Sequence, residues 1–345
     1  MFGWFKTSSA AADVYIDLGT ANTVIAARGQ GILLNEPSVV AFSEPRPGRK
    51  NILAVGSEAL TLMNRTPGNV KAEKPIRDGV IADFDLATEM LESFLQREKI
   101  RKAFSRPRMV VSLPYGVTEV EKRAVVQSCK KIGAKKVFLI DEPMAAALGA
   151  DLPVRSAKGS MIVDIGGGTT EIAVIALSDI VYCEGIRVAG HRIDRAILEW
   201  LRREKKLVIS EAAAEELKIN IGTAVPTRDI RTSFVAGRDL ETGMNRTIEV
   251  TSEDIGKAMN EPLLEIINAI HRAIENTPPE LVSDIMESGI VLAGGGALIK
   301  NLDLRIKNEI RIPTRVANNP LMTIAQGGLK VLEDPELLER IQLEY

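Results

Sequence analysis

The apolar and polar residues of the chain follow two different periods, and together these periods predict an α/β protein. Apolar runs of strand length occur at 14–18, 109–113 and 137–140, whereas apolar residues at 83–98 and 117–132 recur at helical spacing. Further helices are expected at 211–221 and at 252–276, the latter with Ser252 as its N-cap. Thr118 and Glu121 form a capping box, which predicts a helix start between them.

The segment 161–171, Met-Ile-Val-Asp-Ile-Gly-Gly-Gly-Thr-Thr-Glu, is the clearest of these patterns. An apolar run leads to Asp164 and then to three glycines, whose backbone amides can approach a ligand closely. A weaker copy, with strand, aspartate, glycine and threonine, lies at 14–20. A hairpin pattern follows each copy, at 23–34 and at 172–183. The repetition predicts two lobes, each with a turn that holds phosphate.

Composition narrows the class of protein. A length of 345 residues is sufficient for two domains with their own cores. The net charge of −2 provides no positive field for nucleic acid, so no nucleic-acid partner is expected. Two cysteines and two histidines are too few for a disulfide framework or a zinc cluster. Cys129 falls on the apolar stripe of a predicted helix, which indicates a thiol in the core.

The N-terminus differs from the rest of the chain. Phe2, Trp4 and Phe5 surround a glycine and precede Lys6, and a spacer of small and polar residues follows at 7–12. The pattern is typical of an interfacial membrane anchor, although packing on the chain's own domain or a frayed tail would also account for it. No run of eighteen apolar residues and no signal-peptide core are present.

Three further places carry candidate chemistry. Glu142 follows a predicted strand and opens a helix of small residues, so it is either a functional acid or a helix cap. Glu215 and Lys218 lie one turn apart on a predicted helix and form either a ligand contact or a surface ion pair. A third glycine run, 294–296, follows a strand and is expected to open a helix whose N-terminal amides face an anion or a flat ring.

These parts fit phosphoryl transfer, which needs backbone amides around the phosphates, a carboxylate-anchored Mg²⁺ and a group that orients the nucleophile. Neither a Walker-A sequence nor a dinucleotide fingerprint is present. Asp17 and Asp164 can hold a hydrated Mg²⁺. The amides of Gly19, Thr20 and 166–168 can hold phosphates, and Glu142 or Thr169 can position a water.

At this point the residues show a family resemblance. The segments 17–23, 141–147, 164–171 and 293–298 resemble the two phosphate motifs, the first connecting motif and the adenosine motif of the actin, Hsp70 and sugar-kinase superfamily. Over nearly its whole length the chain is similar to the MreB family of bacterial actins. Stretches outside the site that resemble this family are 34–40, 65–69, 78–84 and 277–281.

The resemblance implies a two-lobed actin-like ATPase fold in which each lobe is an RNase H-like mixed sheet with helices and a small peripheral subdomain. The domains expected on this basis are an anchor at 1–12, lobe I at 13–148 with a return at 319–345, and lobe II at 149–318. The small subdomains are expected at about 33–70 and about 189–248.

The resemblance also implies function. It predicts ATP and Mg²⁺ as ligands, slow ATP hydrolysis, and head-to-tail polymerisation into paired protofilaments. These filaments are expected in the cytoplasm, on the inner face of the cytoplasmic membrane, where they would guide the cell-wall elongation machinery and rod shape. Glu142 and Thr169 match positions around the attacking water, and Glu215 and Lys218 match positions near the ribose and base. Phe104, in a basic loop, would add a second membrane contact to Phe2, Trp4 and Phe5.

The residues assigned on this basis are, for catalysis, Glu142, Thr169 and Asp164; for nucleotide binding, Gly19, Thr20, Ala21, Asn22, Gly166, Gly167, Gly168, Thr169, Glu215, Lys218, Gly294, Gly295, Gly296 and Ala297; and for Mg²⁺ through water, Asp17 and Asp164.

One segment departs from the family pattern. Where the family usually has Gly-Gly-Asp, this chain has Ala189-Gly190-His191, and His191 is interpreted as a substituted surface position rather than a catalytic base. The alternative function is a small-molecule kinase of the same superfamily. A kinase would need inserted segments that form a substrate pocket with its own base, and no such insertion is recognisable.

Overall fold

A computed structural model describes residues 13–46, 49–63, 69–97 and 106–345. The chain divides into two compact units, Met1–Leu152 with Met322–Tyr345 (unit 1) and Pro153–Leu321 (unit 2). The membrane residues predicted from sequence, Phe2, Trp4, Phe5 and Phe104, lie outside the described residues. Within the described part, no helix has the length and apolar character that crossing a bilayer requires.

The first segment of unit 1 contains ten strands and four helices among its described residues. The strands are β1 (Val14–Leu18), β2 (Asn22–Ala27), β3 (Gly31–Pro37), β4 (Val40–Arg46), β5 (Arg49–Val55), β6 (Val70–Glu73), β7 (Ile76–Arg77), β8 (Val80–Ile81), β9 (Arg108–Leu113) and β10 (Lys136–Asp141). The helices are α1 (Ser57–Leu62), α2 (Phe84–Leu95), α3 (Glu119–Lys131) and α4 (Glu142–Gly149).

The main sheet of unit 1 has the order β10-β9-β1-β2-β3. β1 and β2 are antiparallel, as are β2 and β3, whereas β1, β9 and β10 run parallel. Strands β4, β5 and β6 form a separate small sheet. The predicted capping box of α3 is confirmed: Thr118 Oγ1 accepts from the Glu121 amide, and the Glu121 carboxylate accepts from Thr118 N–H. Cys129 is fully buried, as its place on the apolar stripe predicts.

Unit 2 repeats the mixed α/β composition. Its strands are β11 (Ser160–Ile165), β12 (Thr170–Ala176), β13 (Asp179–Ile186), β14 (Leu207–Val208), β15 (Thr232–Asp239), β16 (Asn245–Thr251), β17 (Ile290–Ala293) and β18 (Thr314–Val316). Its helices are α5 (Gly190–Glu204), α6 (Glu211–Ile221), α7 (Ser252–Glu275), α8 (Pro279–Ser288) and α9 (Leu302–Ile310).

The main sheet of unit 2 has the order β13-β12-β11-β17-β18, which matches β3-β2-β1-β9-β10 strand for strand and direction for direction. Every residue of β11 and β12 is buried. Burial on both faces explains why these strands read as continuous apolar runs, and edge strand β13 is more exposed. β14, β15 and β16 form a small sheet of their own.

The C-terminal segment returns to unit 1 as α10 (Thr323–Glu333) and α11 (Pro335–Ile341). α10 packs directly on α4, because glycines replace side chains where the two helices meet. A Cβ on Gly149 would lie 1.8 Å from the Thr323 carbonyl oxygen, and one on Gly327 would lie 1.8 Å from that of Ala145. Lys330 Nζ then donates to the Leu148 carbonyl over 2.6 Å at the end of α4.

One predicted helix start is wrong by a residue. The N-cap of α7 is Thr251 rather than Ser252, and Thr251 forms a reciprocal capping box with Asp254. Ser252 instead accepts, through its hydroxyl, a hydrogen bond from Arg231 N–H over 3.1 Å. Both residues have a hydroxyl that can cap a helix, and the acid three positions after Thr251 decides between them.

Candidate functional site

The glycine turn of unit 2, residues 166–169, closes the hairpin between β11 and β12. Asp164 pairs with Glu171 and Ile165 with Thr170, and Gly166 N–H donates to the Thr169 carbonyl over 2.9 Å. The turn therefore begins directly at the end of a fully buried strand. We call it turn II.

Asp164 is the buried acid beside turn II. Its side chain is 5 % exposed, and Oδ1 makes no hydrogen bond to any residue that the structure describes. Burial raises the pKa of Asp164 to about 7. A carboxyl group in this state is half ionised near neutral pH, so a neighbouring cation would shift it to the charged form.

The third glycine run lies against the same strand. β17 runs parallel to β11, with Ala293 beside Asp164. Gly294 has a φ of +77°, and a Cβ there would lie 2.8 Å from Asp164 Oδ1. A Cβ on Gly296 would lie 2.2 Å from Ile165 Cγ2. Glycine is required at both positions because the run packs on the end of β11.

The sequence expectation for the segment after this run needs correction. Gly295–Leu298 is a single 3-10 turn that ends before Ile299, and the next α-helix begins only at Leu302. A four-residue 3-10 turn lacks the aligned amides of a long helix, so the expected α-helix start is wrong here, and the contact of 294–297 with an anion or a flat ring stays a prediction. Gly296 and Ala297 are buried in this turn, whereas Gly295 is exposed.

The first turn of α5 supports turn II through main-chain hydrogen bonds. Gly190 N–H donates to the Gly166 carbonyl over 3.1 Å, and His191 N–H donates to the Gly167 carbonyl over 2.8 Å. Thr170 Oγ1 also donates to the Val188 carbonyl over 2.6 Å. His191 is half-buried rather than on the open surface, and its backbone makes the contact.

These bonds also orient the amides of turn II. A trans peptide is planar, and its C=O and N–H groups point in opposite directions. Because the carbonyls of Gly166 and Gly167 point toward α5, the N–H groups of Gly167 and Gly168 point away from it. Turn II thus presents two donors on the face opposite α5, an arrangement suited to an anion.

The two predicted residues of α6 have different surroundings. Glu215 is exposed, whereas the Lys218 side chain is only 12 % exposed. Lys218 Nζ lies 2.8 Å from Asp194 Oδ1 and donates to the Gly190 carbonyl over 3.4 Å. The partner of Lys218 is therefore a buried acid of α5. Sequence reasoning missed Asp194, although its position four residues after Gly190 places both on one face of a helix.

The corresponding turn of unit 1, residues 19–22, is turn I, and side-chain hydroxyls support it. Thr20 Oγ1 accepts from Gly79 N–H over 2.9 Å, and Ser38 Oγ donates to the Gly19 carbonyl over 2.7 Å. Asp17 before the turn is half-buried. Ala21 and Asn22 are exposed, and Asn22 Nδ2 donates to Asn35 Oδ1 over 2.7 Å.

Glu142 is the first residue of α4 and is 7 % exposed. β1 and β10 both run parallel to β9, and Asp17 and Asp141 stand at their carboxyl ends. Carboxyl ends of parallel strands share one edge of a sheet, which is where open α/β sheets bind ligands. Asp17 and Glu142 therefore belong to the same edge in unit 1, whereas Asp164, turn II, Lys218 and 294–297 belong to unit 2.

Two mixed sheets of one strand order, each with an aspartate and a glycine turn at the same edge, define an actin-like protein. Residues 11–340 match the model of the MreB/Mbl protein family, so the chain belongs to the MreB/Mbl family. This membership confirms the resemblance seen in the sequence.

Comparison with individual proteins gives the same result. The chain is 50 % identical to the cell shape-determining protein MreB of Escherichia coli (strain K12) over 324 residues, 93 % of each chain. It matches the crystal structure of MreB5 of Spiroplasma citri bound to AMPPNP with a TM-score of 0.90 and 33 % identity, covering 96 % of this chain and 98 % of that one. A second MreB5 structure is bound to ADP.

A more distant likeness concerns the fold alone. The MamK double helical filament matches with a TM-score of 0.74 at 20 % identity, over 93 % of this chain and 99 % of that one. Together the two structural matches confirm the predicted actin-like fold class.

Proposed function

We propose that this chain is an ATP-dependent actin-like cytoskeletal protein that polymerises into membrane-associated filaments and directs cell-wall synthesis and rod shape. The observation that carries the proposal is the buried Asp164, which has an unpaired oxygen among the described residues and stands between turn II and Gly294. Support comes from MreB5 of Spiroplasma citri, which was solved with AMPPNP and with ADP.

The proposed nucleotide contacts are those of the residues predicted from the sequence. The amides of Gly19, Thr20 and 166–168 would contact the phosphates, with Ala21, Asn22 and Thr169 beside them. The ribose and base would contact Glu215, Lys218 and 294–297. The outward-facing N–H groups of turn II support the phosphate assignment most directly, because they are donors oriented by two hydrogen bonds to α5.

The residues present also fit a magnesium ion. A buried carboxylate oxygen without a hydrogen bond, with a pKa near neutrality, is stabilised when a cation is bound nearby. Asp164 and Asp17 would hold Mg²⁺ through its waters, since this ion keeps several of them. When bound, Mg²⁺ neutralises the charge that develops on the phosphates.

Slow hydrolysis would use Glu142 and Thr169. The attacking water must be held in line with the bond that breaks between the γ-phosphate and ADP. Glu142 supplies a carboxylate of low exposure at the carboxyl edge of its sheet, and Thr169 adds a hydroxyl from turn II. Water oxygen bonds to phosphorus, ADP leaves, and inorganic phosphate keeps the water's oxygen.

Filament formation, membrane binding and a role in cell-wall synthesis rest on the family. The relative from Escherichia coli is a cell shape-determining protein, and the MamK filament is built from chains of this fold. We propose head-to-tail, paired protofilaments on the inner face of the cytoplasmic membrane, in contact with the elongation machinery. Phe2, Trp4, Phe5 and Phe104 would provide the membrane contacts.

Sedimentation tests this proposal. The purified protein with ATP and Mg²⁺ should pellet as filaments, and more of it should pellet with anionic liposomes. The control is a variant in which Phe2, Trp4 and Phe5 are replaced by serine, which should form filaments without binding the liposomes. Failure to pellet with any nucleotide, together with rapid ATP consumption triggered by a small metabolite, would favour the kinase.

A further inference from the structure

The buried ion pair between Asp194 and Lys218 lies behind turn II, and the sequence motifs give it no role of its own. The side chains of Asp194 and Lys218 are 8 % and 12 % exposed, and Nζ lies 2.8 Å from Oδ1. Desolvating two charges is costly, and such pairs often contribute little net stability compared with apolar residues. A role in fixing geometry would account for a buried pair at this place.

The pair is connected to turn II through one glycine. Lys218 Nζ also donates to the Gly190 carbonyl, over 3.4 Å, so the ammonium group bridges Asp194 and the first residue of α5. A Cβ on Gly190 would lie 3.3 Å from the Gly166 carbonyl oxygen, 3.6 Å from Gly167 Cα and 3.6 Å from Lys218 Nζ. Gly190 therefore lies in contact with both the ammonium group and the turn.

The amides of this helix start determine which way turn II faces. Gly190 N–H and His191 N–H donate to the carbonyls of Gly166 and Gly167, which turns the N–H groups of Gly167 and Gly168 to the opposite face. Ala189, the N-cap of α5, makes no side-chain capping bond. The start of the helix is thus held by turn II on one side and by Lys218 on the other.

We propose that Asp194 and Lys218 are positioning residues which, through Gly190 and His191, hold the donors of turn II toward the phosphates of the nucleotide. This inference rests on the proposed function and deepens it. Lys218 acts here by holding the helix start and the turn, whether or not its stem also contacts the ribose. The contribution of the pair to binding should grow with the number of phosphates on the ligand.

Titration calorimetry with adenosine, ADP and ATP in the presence of Mg²⁺ tests the inference on the full chain. Asp194→Asn keeps the shape of the side chain and removes its charge. We expect ATP affinity to fall at least tenfold, ADP affinity to fall less, and adenosine affinity to stay within about twofold. An equal loss for all three ligands, or no loss, would overturn the positioning role.

A second variant protects the test against simple misfolding. Gly190→Ala leaves both charges in place and adds a methyl group 3.3 Å from the Gly166 carbonyl oxygen, so it disturbs the same contact independently. It should reproduce the dependence on phosphate number. If Gly190→Ala leaves ATP binding unchanged, the route through Gly190 is wrong.

The matched control is Asp239→Asn. Asp239 is also a buried acid of unit 2 in an ion pair, with Arg246, and it accepts from the amides of Glu241 and Thr242 at the end of β15. The Asp239→Asn substitution should lower the thermal stability and leave the affinities for adenosine, ADP and ATP in their wild-type ratio. If wild-type protein binds no ATP, the proposed function fails and this inference with it; a uniform loss in Asp194→Asn overturns the inference alone.

Discussion

Turn I and turn II have the same place in two sheets of the same strand order, yet different parts of the chain hold them. Turn I is held by hydroxyl groups of Thr20 and Ser38 together with the Ser38 amide, which donates to the Ala21 carbonyl over 2.9 Å, whereas turn II is held by main-chain amides of α5. The acids differ as well, since Asp17 is half-buried and Asp164 is 5 % exposed. A repeated motif can therefore retain its backbone path while its electrostatic surroundings diverge.

The largest expected consequence of this difference is a pH dependence of the free energy of unfolding, caused by Asp164 in unit 2. The pKa of Asp164 is about 7 in the folded chain and 3.8 as its ordinary value, so the folded state holds a proton that the unfolded state releases. Stability should therefore fall as the pH rises between these values and level off above pH 7. Over the interval from pH 5 to pH 7 the loss is about 2 kcal/mol.

Asp164→Asn resembles the neutral acid and should remove this slope. In the absence of nucleotide and Mg²⁺, the free energy of unfolding of Asp164→Asn minus that of wild type should grow by about 3 kcal/mol between pH 5 and pH 8. Urea unfolding measures this difference in a Trp4→Phe background. In that background the tryptophan fluorescence comes from Trp200, which packs on the core of unit 2. Hydrogen bonds from the Thr242 and Glu241 amides lower the pKa of Asp239, so the effect of Asp239→Asn should be equal at both pH values. A constant advantage of Asp164→Asn would contradict the raised pKa.

The second prediction compares the two acids in ligand binding. A charge in a buried site interacts more strongly with a cation than a half-exposed one does, because the local dielectric is lower. Asp164→Asn should weaken binding of Mg²⁺ and AMPPNP by about 100-fold, or about 2.7 kcal/mol, and Asp17→Asn by about tenfold. Calorimetry at pH 8 provides both numbers. Equal losses would show that burial does not distinguish the two turns.

The third prediction concerns Glu142. Removing a group that orients the attacking water should slow phosphate release at least tenfold, as losses of acid–base groups typically do. Glu142→Ala should therefore hydrolyse ATP more slowly and bind it within a few fold of wild type. Glu142→Gln keeps the size of the side chain and should be equally slow if the carboxylate itself is needed. Unchanged phosphate release in Glu142→Ala would leave Glu142 only a helix-start residue.

Local patterns predicted most of the fold, because the residues that define each element are neighbours in sequence. The end of β11 at turn II, the capping box at Thr118 and the limits of α6 all depend on a few adjacent residues. The errors occurred where two local signals compete. Thr251 and Ser252 are both good N-caps, and the glycines of 294–296 allow a 3-10 turn as readily as a helix.

The supports of the site could not be predicted from local sequence in the same way. The spacing of Glu215 and Lys218 predicts either a ligand contact or a surface ion pair between them, yet the ion-pair partner of Lys218 is Asp194 on another helix. The bond between Thr20 and Gly79 joins residues 59 positions apart. Such contacts depend on packing between elements, and no periodicity along the chain encodes them.

The smallest expected effect tests whether turn I depends on its hydroxyl groups. Thr20→Val is nearly isosteric and leaves Gly79 N–H without its acceptor, which should cost about 1 kcal/mol. Hydrogen exchange in a peptide that covers Gly79 should then be about fivefold faster, whereas Thr20→Ser should retain the wild-type rate. Peptides from turn II should be unaffected in both variants, because main-chain bonds from α5 hold that turn. Equal acceleration in the valine and serine variants would mean that the methyl group of Thr20, rather than its hydroxyl, supports turn I.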